Sequence, residues 1–469
     1  MTRVGPALIV PKPPVMAQLS EVLDFHPTER TLAAVLDALD DVGASGGGAV
    51  DPATRRRALA TFLAAGPERP ALPAGWRHRY AALPFDELEW STGRLRVPVL
   101  PPMPQRAAPD GDAPALALAN AAGLVHLGST YLAPERPAGD ARLTVTALAD
   151  ARRRDRAAVD ALHGALVPSA DRFVALATAF QNCGAYVEVP AGVVLDAPIQ
   201  LVWTTRPGAN GAVFPHTVVR VGAGAQATIY ERHLGAGESS VAGTVEVELG
   251  PNARLDYVVI QDADDGARIV MHRAARCASG ATIAWHLADL GGALARSAID
   301  VDLAGERAAA EVNALGFVRG FANVDLALVA QHAASQTRSR TIVRTAATDR
   351  GRGRFHGDIR IAAGVEAADA SLREAGLVLS RDAALEVTPA LEIASNHVAA
   401  FHAATIGSLD EEHLFYVQSR GISRRTAERM MALAFCEPAI AGFPGDALRD
   451  EVRTLLDARL DDVPETFAS

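Results

Sequence analysis

A short phrase returns along the middle of the chain: AYVEVPAG, TVVRVGAG, TVEVELGP, AIDVDLAG and GDIRIAAG. Each alternates apolar and polar residues, as a strand with one buried face does, and each ends in a Gly or Pro corner. The strand ends fall at Val189, Val221, Leu249, Leu303 and Ile361, and a related corner, RCASGATIAW, places Cys277 between the third and fourth. Successive ends from Val189 to Leu303 lie 32, 28, 28 and 26 residues apart. A repeat of that length made of strands predicts a chain that coils so that each turn stacks on the last. One turn alone could not bury its apolar side. Stacked, Val187, Val219, Val247 and Val301 line a continuous interior, and the small residues Ala225, Ala253 and Ala281 let adjacent turns approach closely. The rival arrangement, an antiparallel sandwich, brings turn signals about every 8–12 residues. The wider spacing favours a parallel β-helix, expected over residues 181–395.

The flanks read differently. Residues 1–100 form an expected helical domain, with Leu32, Val35 and Leu39 at helical spacing and a second run, ATRRRALATFLAAG, after Pro52. Residues 101–180 are expected to hold a proline-rich linker or strap and then a helix in SADRFVALATAFQN, where Phe173, Leu176 and Phe180 recur. Residues 396–469 are expected to be a C-terminal helical domain. There Ser408 and Glu411 fit a capping box for a helix over 409–419, with Gly421 past its end. Ala427, Met430, Met431, Ala434 and Phe435 suggest one apolar helix face that stops before Pro438; Leu448, Val452, Leu455 and Leu456 suggest another.

Composition narrows the functions. A formal net charge of -10 and a pI near 5.7 argue against nucleic acid, whose binding rests on clustered cations. The one lysine, Lys12, follows Pro11, so no G-x-x-x-x-G-K-[ST] phosphate loop is present. Cys183, Cys277 and Cys436 lie far apart with no C-x-x-C spacing, which argues against a disulfide framework or a closed zinc site and is consistent with the reducing cytoplasm. No run of about 18 uncharged apolar residues predicts a membrane span, and PALIV near the N-terminus is too short for a secretory apolar region.

Few residues carry an evident chemistry. GAGAQA, residues 222–227, resembles part of a dinucleotide fingerprint, but the strand-like TIYE follows it where that fingerprint needs a helix, so it reads as a corner. YERH (230–233) and FHGD (355–358) combine carboxylate and imidazole; Tyr230 and His233 are an odd number of residues apart and point to opposite strand faces. His397 and His402, five apart, make a poor pair of ligands for one metal by the same parity. The three cysteines read as buried structural thiols. These readings end at a β-helix with helical flanks and name no function.

A longer and more specific likeness lies in DRGRGRFHGDIRI (349–361), LVLS (377–380), PALEI (389–393), FHAATIGSLDEEHLFYVQSRGI (401–422) and the following AERMMALAF, with weaker agreement back to about residue 180 and a trace in WRHRYAALPFDEL (76–88). This segment resembles the SufB/SufD family of iron–sulfur cluster assembly scaffolds. The resemblance implies a right-handed parallel β-helix between helical terminal domains, and a non-catalytic scaffold in complex with a SufB homologue and the SufC ATPase, where ATP is bound and hydrolysed. SufB-like chains carry a cysteine in the strand before the counterpart of LVLS; the matching position is Glu374, which favours the SufD side of the family. Its Cys-x-His pattern matches Ala400, Phe401 and His402, so the histidine is kept and the cysteine is not. His402 is thereby implied as a candidate ligand of a transient cluster shared with SufB. The helices from Leu409 to Phe435 resemble the docking surface for SufC, implicating Leu409, Glu411, Glu412, Leu414, Phe415, Tyr416, Arg420, Gly421, Met430 and Met431. Two alternatives stand beside this one: a SufB-like chain that homodimerises, and a β-helix lyase or hydrolase acting on polysaccharide. Glu374 speaks against the first, and the low aromatic content, 5%, against the second.

Overall fold

The computed structural model describes residues 50–64, 123–127, 130–132, 143–204 and 212–461 except 236 and 238. The expected helix before residue 50, the linker over 98–114 and the trace at 76–88 lie outside the described residues.

The repeat is a coil of about seven turns, each contributing one strand to either of two parallel sheets. One sheet holds the odd-numbered strands: β1 (Cys183–Val189), β3 (Pro215–Val221), β5 (Ser240–Leu249), β7 (Arg268–Cys277), β9 (Leu294–Leu303), β11 (Asn323–His332), β13 (Arg352–Ile361) and β15 (Ala384–Ile393). The other holds the even-numbered ones: β2 (Ile199–Thr204), β4 (Gln226–Leu234), β6 (Arg254–Gln261), β8 (Thr282–Asp289), β10 (Ala309–Val318), β12 (Arg338–Ala347), β14 (Asp369–Val378) and β16 (Ala399–Ser408). The repeat read in the sequence is therefore the odd sheet alone. The intervening strand of each turn lacks so regular an ending and went unread.

Register is strict. Val187 faces Val219, which faces Val247; the row continues through Ala275 to Val301, and these residues are at most 2% exposed. The strand ends form a second row: Val189, Val221, Leu249, Cys277, Leu303, His332, Ile361 and Ile393. His332 fills the rung between Leu303 and Ile361, a turn missing from the sequence repeat because its corner carries no glycine. On the outer face, Glu188, Arg220, Glu248, Arg276 and Asp302 occupy one row with alternating charge, bridged at 3.1 Å between Arg220 and Glu248 and again between Arg276 and Asp302. A one-residue slip would bring that row inside and the valines out.

The corners set how closely turns approach. A Cβ placed on Gly222 would lie 2.4 Å from the Ala191 nitrogen, and one on Gly305 would lie 2.1 Å from the Ser279 nitrogen. Ala225, Ala253 and Ala281, just past their corners, are at most 1% exposed.

Helices cover the outer faces. α1 (Pro52–Ala64) and α4 (Arg172–Phe180) press Leu59, Phe62, Phe173, Leu176 and Phe180 onto the odd sheet at Phe214, Ala242, Val270 and Leu294. Between them, α2 (Leu148–Arg154) and α3 (Arg156–Asp160) pack on Tyr186 and Val218. The stretch expected as linker and one helix thus also holds these two helices. It adds three strands as well: Thr144–Ala147, antiparallel to β1; Gly123–Leu127, parallel to β2; and Thr130–Leu132, which pairs with Gly123–Leu127.

At the other end the coil runs past residue 395: β16 pairs in parallel with β14 through Ser408, and His397 lies in the corner before it. Three helices follow, α5 (Glu411–Gln418), α6 (Arg424–Ile440) and α7 (Asp446–Asp461). Asp410, and not Ser408, caps α5, accepting from the amides of Glu412 and His413, because Ser408 is still in the strand. α6 continues through Pro438, which forfeits one amide near the helix end while Ala439 and Ile440 gain burial. The buried face of α6 is Ala427, Ala432, Cys436, Ala439 and Ile440; Met430 and Ala434 point outward. Small side chains decide this, since they let the helix sit close against Leu315, Phe317 and Ala346 of the even sheet. α7 adds Leu448, Val452, Leu456 and Leu460, and Arg459 anchors it to Asp262 at 2.7 Å.

Two outcomes follow from this packing. Gly305→Ala should lower stability by ~1–3 kcal/mol, the usual cost of overpacking, measured by denaturant unfolding; an unchanged midpoint would contradict the stacked corner. The His332 imidazole is fully buried between the Thr337 and Ser339 hydroxyls, each 2.9 Å away, and burial lowers its pKa to about 4. The unfolded chain binds that proton near 6.5, so the stability His332 contributes is whole above about pH 6.5 and is lost as pH falls through about 4. Thermal midpoints across that window should fall more steeply for the wild type than for His332→Leu.

Candidate functional site

Among the described residues the last turn of the coil has no successor. Leu385, Val387, Leu391 and Ile393 of β15 continue the interior rows of Gly353, Phe355, Ile359 and Ile361. Yet Leu391 and Ile393 are 44% and 45% exposed, whereas Ile359 and Ile361 are 1% and 2%. Inward-facing apolar side chains therefore meet solvent only because nothing stacks on them. Beside them, β15 and β16 are the last strands of their sheets, each presenting one edge without a paired strand among the described residues.

His402 lies on this terminal rung. It is in register with the fully buried Leu372 and two residues from Ala400, which faces Ala370, so the imidazole points into the coil. Glu374, one inward position along β14, accepts from it: His402 Nε2 stands 3.0 Å from Glu374 Oε1, with side-chain exposures of 5% and 1%. Burial raises the Glu374 pKa; the hydrogen bond and charge of His402 oppose that rise. An ionised Glu374 can only accept, which assigns the proton to Nε2 and leaves the lone pair of a neutral imidazole on Nδ1. Nδ1 is buried and makes no hydrogen bond to the described residues, and neither does Glu374 Oε2. A histidine whose other nitrogen is held by a carboxylate is the common arrangement for a metal ligand.

No thiolate joins it. Ala400 stands where a cysteine would share the face of His402, and Cys183, Cys277 and Cys436 are all buried. Burial pushes the Cys277 and Cys436 thiols up to about 12, and Cys183 up as well. Among the described residues no group of three or more His, Cys, Asp or Glu side chains could hold a metal ion. His402 and Glu374 are at most part of a ligand set.

The helical residues form a second, separate surface. Phe415 and Tyr416 on α5 are 73% and 59% exposed, and Met430 on α6 is 49% exposed. The Arg420 guanidinium lies over the Tyr416 ring and donates to its hydroxyl at 3.0 Å, ending at Gly421, whose φ is +84°. Glu411 and Glu412 are exposed, with Glu411 bridged to Arg424 at 2.7 Å. Leu414, in contrast, is 1% exposed and holds α5 down; Leu409 and Met431 are half-buried. Leu414 is therefore a packing residue, and the accessible set is led by Phe415, Tyr416 and Met430. GAGAQA is a corner leading into β4, and His356 and Asp358 lie on the outer face of β13. In YERH, Tyr230 faces out to Glu451 at 2.8 Å, while Glu231 and His233 both face inward. Their spacing of two was the available signal.

Residues 204–435 match the family described as SUF system FeS cluster assembly, SufBD core domain. The iron-sulfur cluster assembly protein SufD of Escherichia coli (strain K12) is 25% identical over 297 residues, 62% of this chain and 70% of that protein. An iron-sulfur cluster assembly SufBD family protein of Mycobacterium leprae is 26% identical over 277 residues, 58% of this chain and 32% of its own length. One from Staphylococcus saprophyticus is 25% identical over 284 residues, 60% of this chain and 61% of its own. The latter two are thus matched over less than two thirds of their length. On this similarity the chain belongs to the SufB/SufD family of iron–sulfur assembly proteins. Within that family it is most like SufD.

Proposed function

We propose that this chain is a non-catalytic, SufD-like scaffold subunit of a cytoplasmic complex that assembles iron–sulfur clusters. The observation that carries this reading is the open end of the coil, where exposed apolar rungs and two edge strands surround a buried imidazole. An unpaired edge of this kind is a template for another chain. Its occupant on this reading is a SufB homologue with the same repeat, stacked end to end as one more turn; without it, a second copy of this chain would take the place and give a homodimer. The nascent cluster is cargo, held transiently at that seam by His402 Nδ1 and by thiolates from the SufB side. No cofactor is tightly bound. The SufC ATPase, which alone binds ATP, docks on α5 and the exposed side of α6.

Co-expression with SufB and SufC homologues and purification on a tag carried by this chain tests the assembly. Leu391→Arg should abolish recovery of SufB and spare SufC, and the pair Phe415→Ala with Tyr416→Ala should do the reverse. If neither partner co-purifies with the wild type, the scaffold reading fails.

The ligand role is tested separately. His402→Ala should leave the complex intact and reduce iron and sulfide recovered per complex, and Glu374→Ala should weaken retention by about tenfold, as loss of a carboxylate behind a ligating histidine does. Unchanged iron content in His402→Ala would make the histidine structural only.

A further inference from the structure

Early in the coil the core is polar. Glu231 and His233 of β4, Tyr257 of β6, Trp285 of β8 and Arg273 of β7 all point between the sheets and are at most 1% exposed. Some of their bonding capacity is used. Trp203 Nε1 donates to Glu231 Oε1 at 2.7 Å. Arg273 reaches the Ser297 hydroxyl at 3.4 Å, and that hydroxyl donates to Asp289 at 3.0 Å. Burial opposes ionisation of Glu231, but the His233 and Arg273 charges and the Trp203 bond outweigh it and hold its pKa at about 2.

Much capacity is left over. Among the described residues, Glu231 Oε2, both ring nitrogens of His233, Arg273 Nε, the Tyr257 hydroxyl and Trp285 Nε1 are buried without an aligned hydrogen bond. The nearest approaches are ion-pair contacts and not aligned hydrogen bonds: His233 Nε2 is 3.4 Å from Glu231 Oε1, and Arg273 Nη2 is 3.8 Å from Glu231 Oε2. Buried polar groups left without aligned partners in this way are commonly completed by a small bound molecule.

The unpaired groups specify that molecule. Glu231 Oε2 needs a donor, whereas Arg273 Nε, the tyrosine hydroxyl and the indole need an acceptor. A halide accepts only and a metal ion accepts nothing from an N–H. We propose that this part of the coil is a built binding site for water, holding roughly two or more molecules at about three hydrogen bonds each, bonded to Glu231, His233, Arg273, Tyr257 and Trp285. It is closed off from the terminal rung. Val312 and Ala314 of β10, Leu326 and Leu328 of β11 and Val343 of β12 lie between it and His402, all buried and apolar.

A crystal structure of the full-length chain, at a resolution where ordered water is visible, tests this directly. Expected is density for water within hydrogen-bonding distance of Glu231 Oε2 that also contacts Arg273, Tyr257 or Trp285. Direct closure of these groups on one another would overturn the proposal. So would an anomalous peak at Arg273 after a bromide soak, or a metal peak at Glu231 and His233. In solution, oxygen-17 relaxation dispersion of the wild type should show slowly exchanging water; no dispersion would equally overturn it.

Discussion

The structure depends on in-register stacking of its corners. Each turn buries its apolar side only against the next, and the turns approach only as closely as the corners permit. Gly222 and Gly305 leave no room for a Cβ, and Ala225, Ala253 and Ala281 are completely enclosed. Side-chain area then follows from backbone spacing. Strands about 4.8 Å apart bring each valine of one turn directly over its counterpart in the next. The rows from Val187 and Val189 are a consequence of the corners as much as a cause of the fold. The alternating charges along the outer row from Glu188 to Asp302 add little energy at the surface, but they penalise a slip that the apolar rows alone would also resist.

A stacked coil cannot satisfy its own last turn. Globular cores close on themselves, whereas here the interior row ending in Leu391 and Ile393 meets solvent at the same positions that are buried one turn earlier. The proposed function is accordingly sited where the fold is incomplete. The C-terminal helices take another course: α6 and α7 turn back onto the outer face of the even sheet, and do not cap the end. That leaves the terminal rung uncovered by α6 and α7. The burial of Leu414 beside the exposure of Phe415 and Tyr416 gives α5 one anchored side and one open side.

The odd sheet was legible because its strands end in Gly or Pro, and the rows Val187 to Val301 emerged as read. The even sheet was not, because its strands run into corners of varied composition. The coil expected to end at 395 runs on, because Asn396 and His397 form one more corner and β16 completes the turn. Phase failed in α6, where AERMMALAF is apolar nearly all round and small residues, not the large ones, select the buried face. At the site, resemblance singled out His402, but only geometry supplied its partner: Glu374 is 28 residues away in sequence and reaches it across one rung. The inward pair Glu231 and His233 was passed over because parity was weighed between Tyr230 and His233 and not between the two charged residues.

The two polar centres of the core differ in what they still need, and that difference separates their roles. The early one has donors and acceptors in excess on both sides and is enclosed, so a small neutral molecule completes it without any change of shape. The terminal one leaves a single buried nitrogen and a single carboxylate oxygen, His402 Nδ1 and Glu374 Oε2, beneath an open rung. Whatever seals that rung removes these atoms from water, and a sealed orphan is costly. A sealing chain must therefore bring a donor or cation for Glu374 and an electrophile for the imidazole lone pair. A purely apolar cap would serve Leu391 and Ile393 and strand both atoms. A partner that carries metal satisfies the rung and the lone pair together.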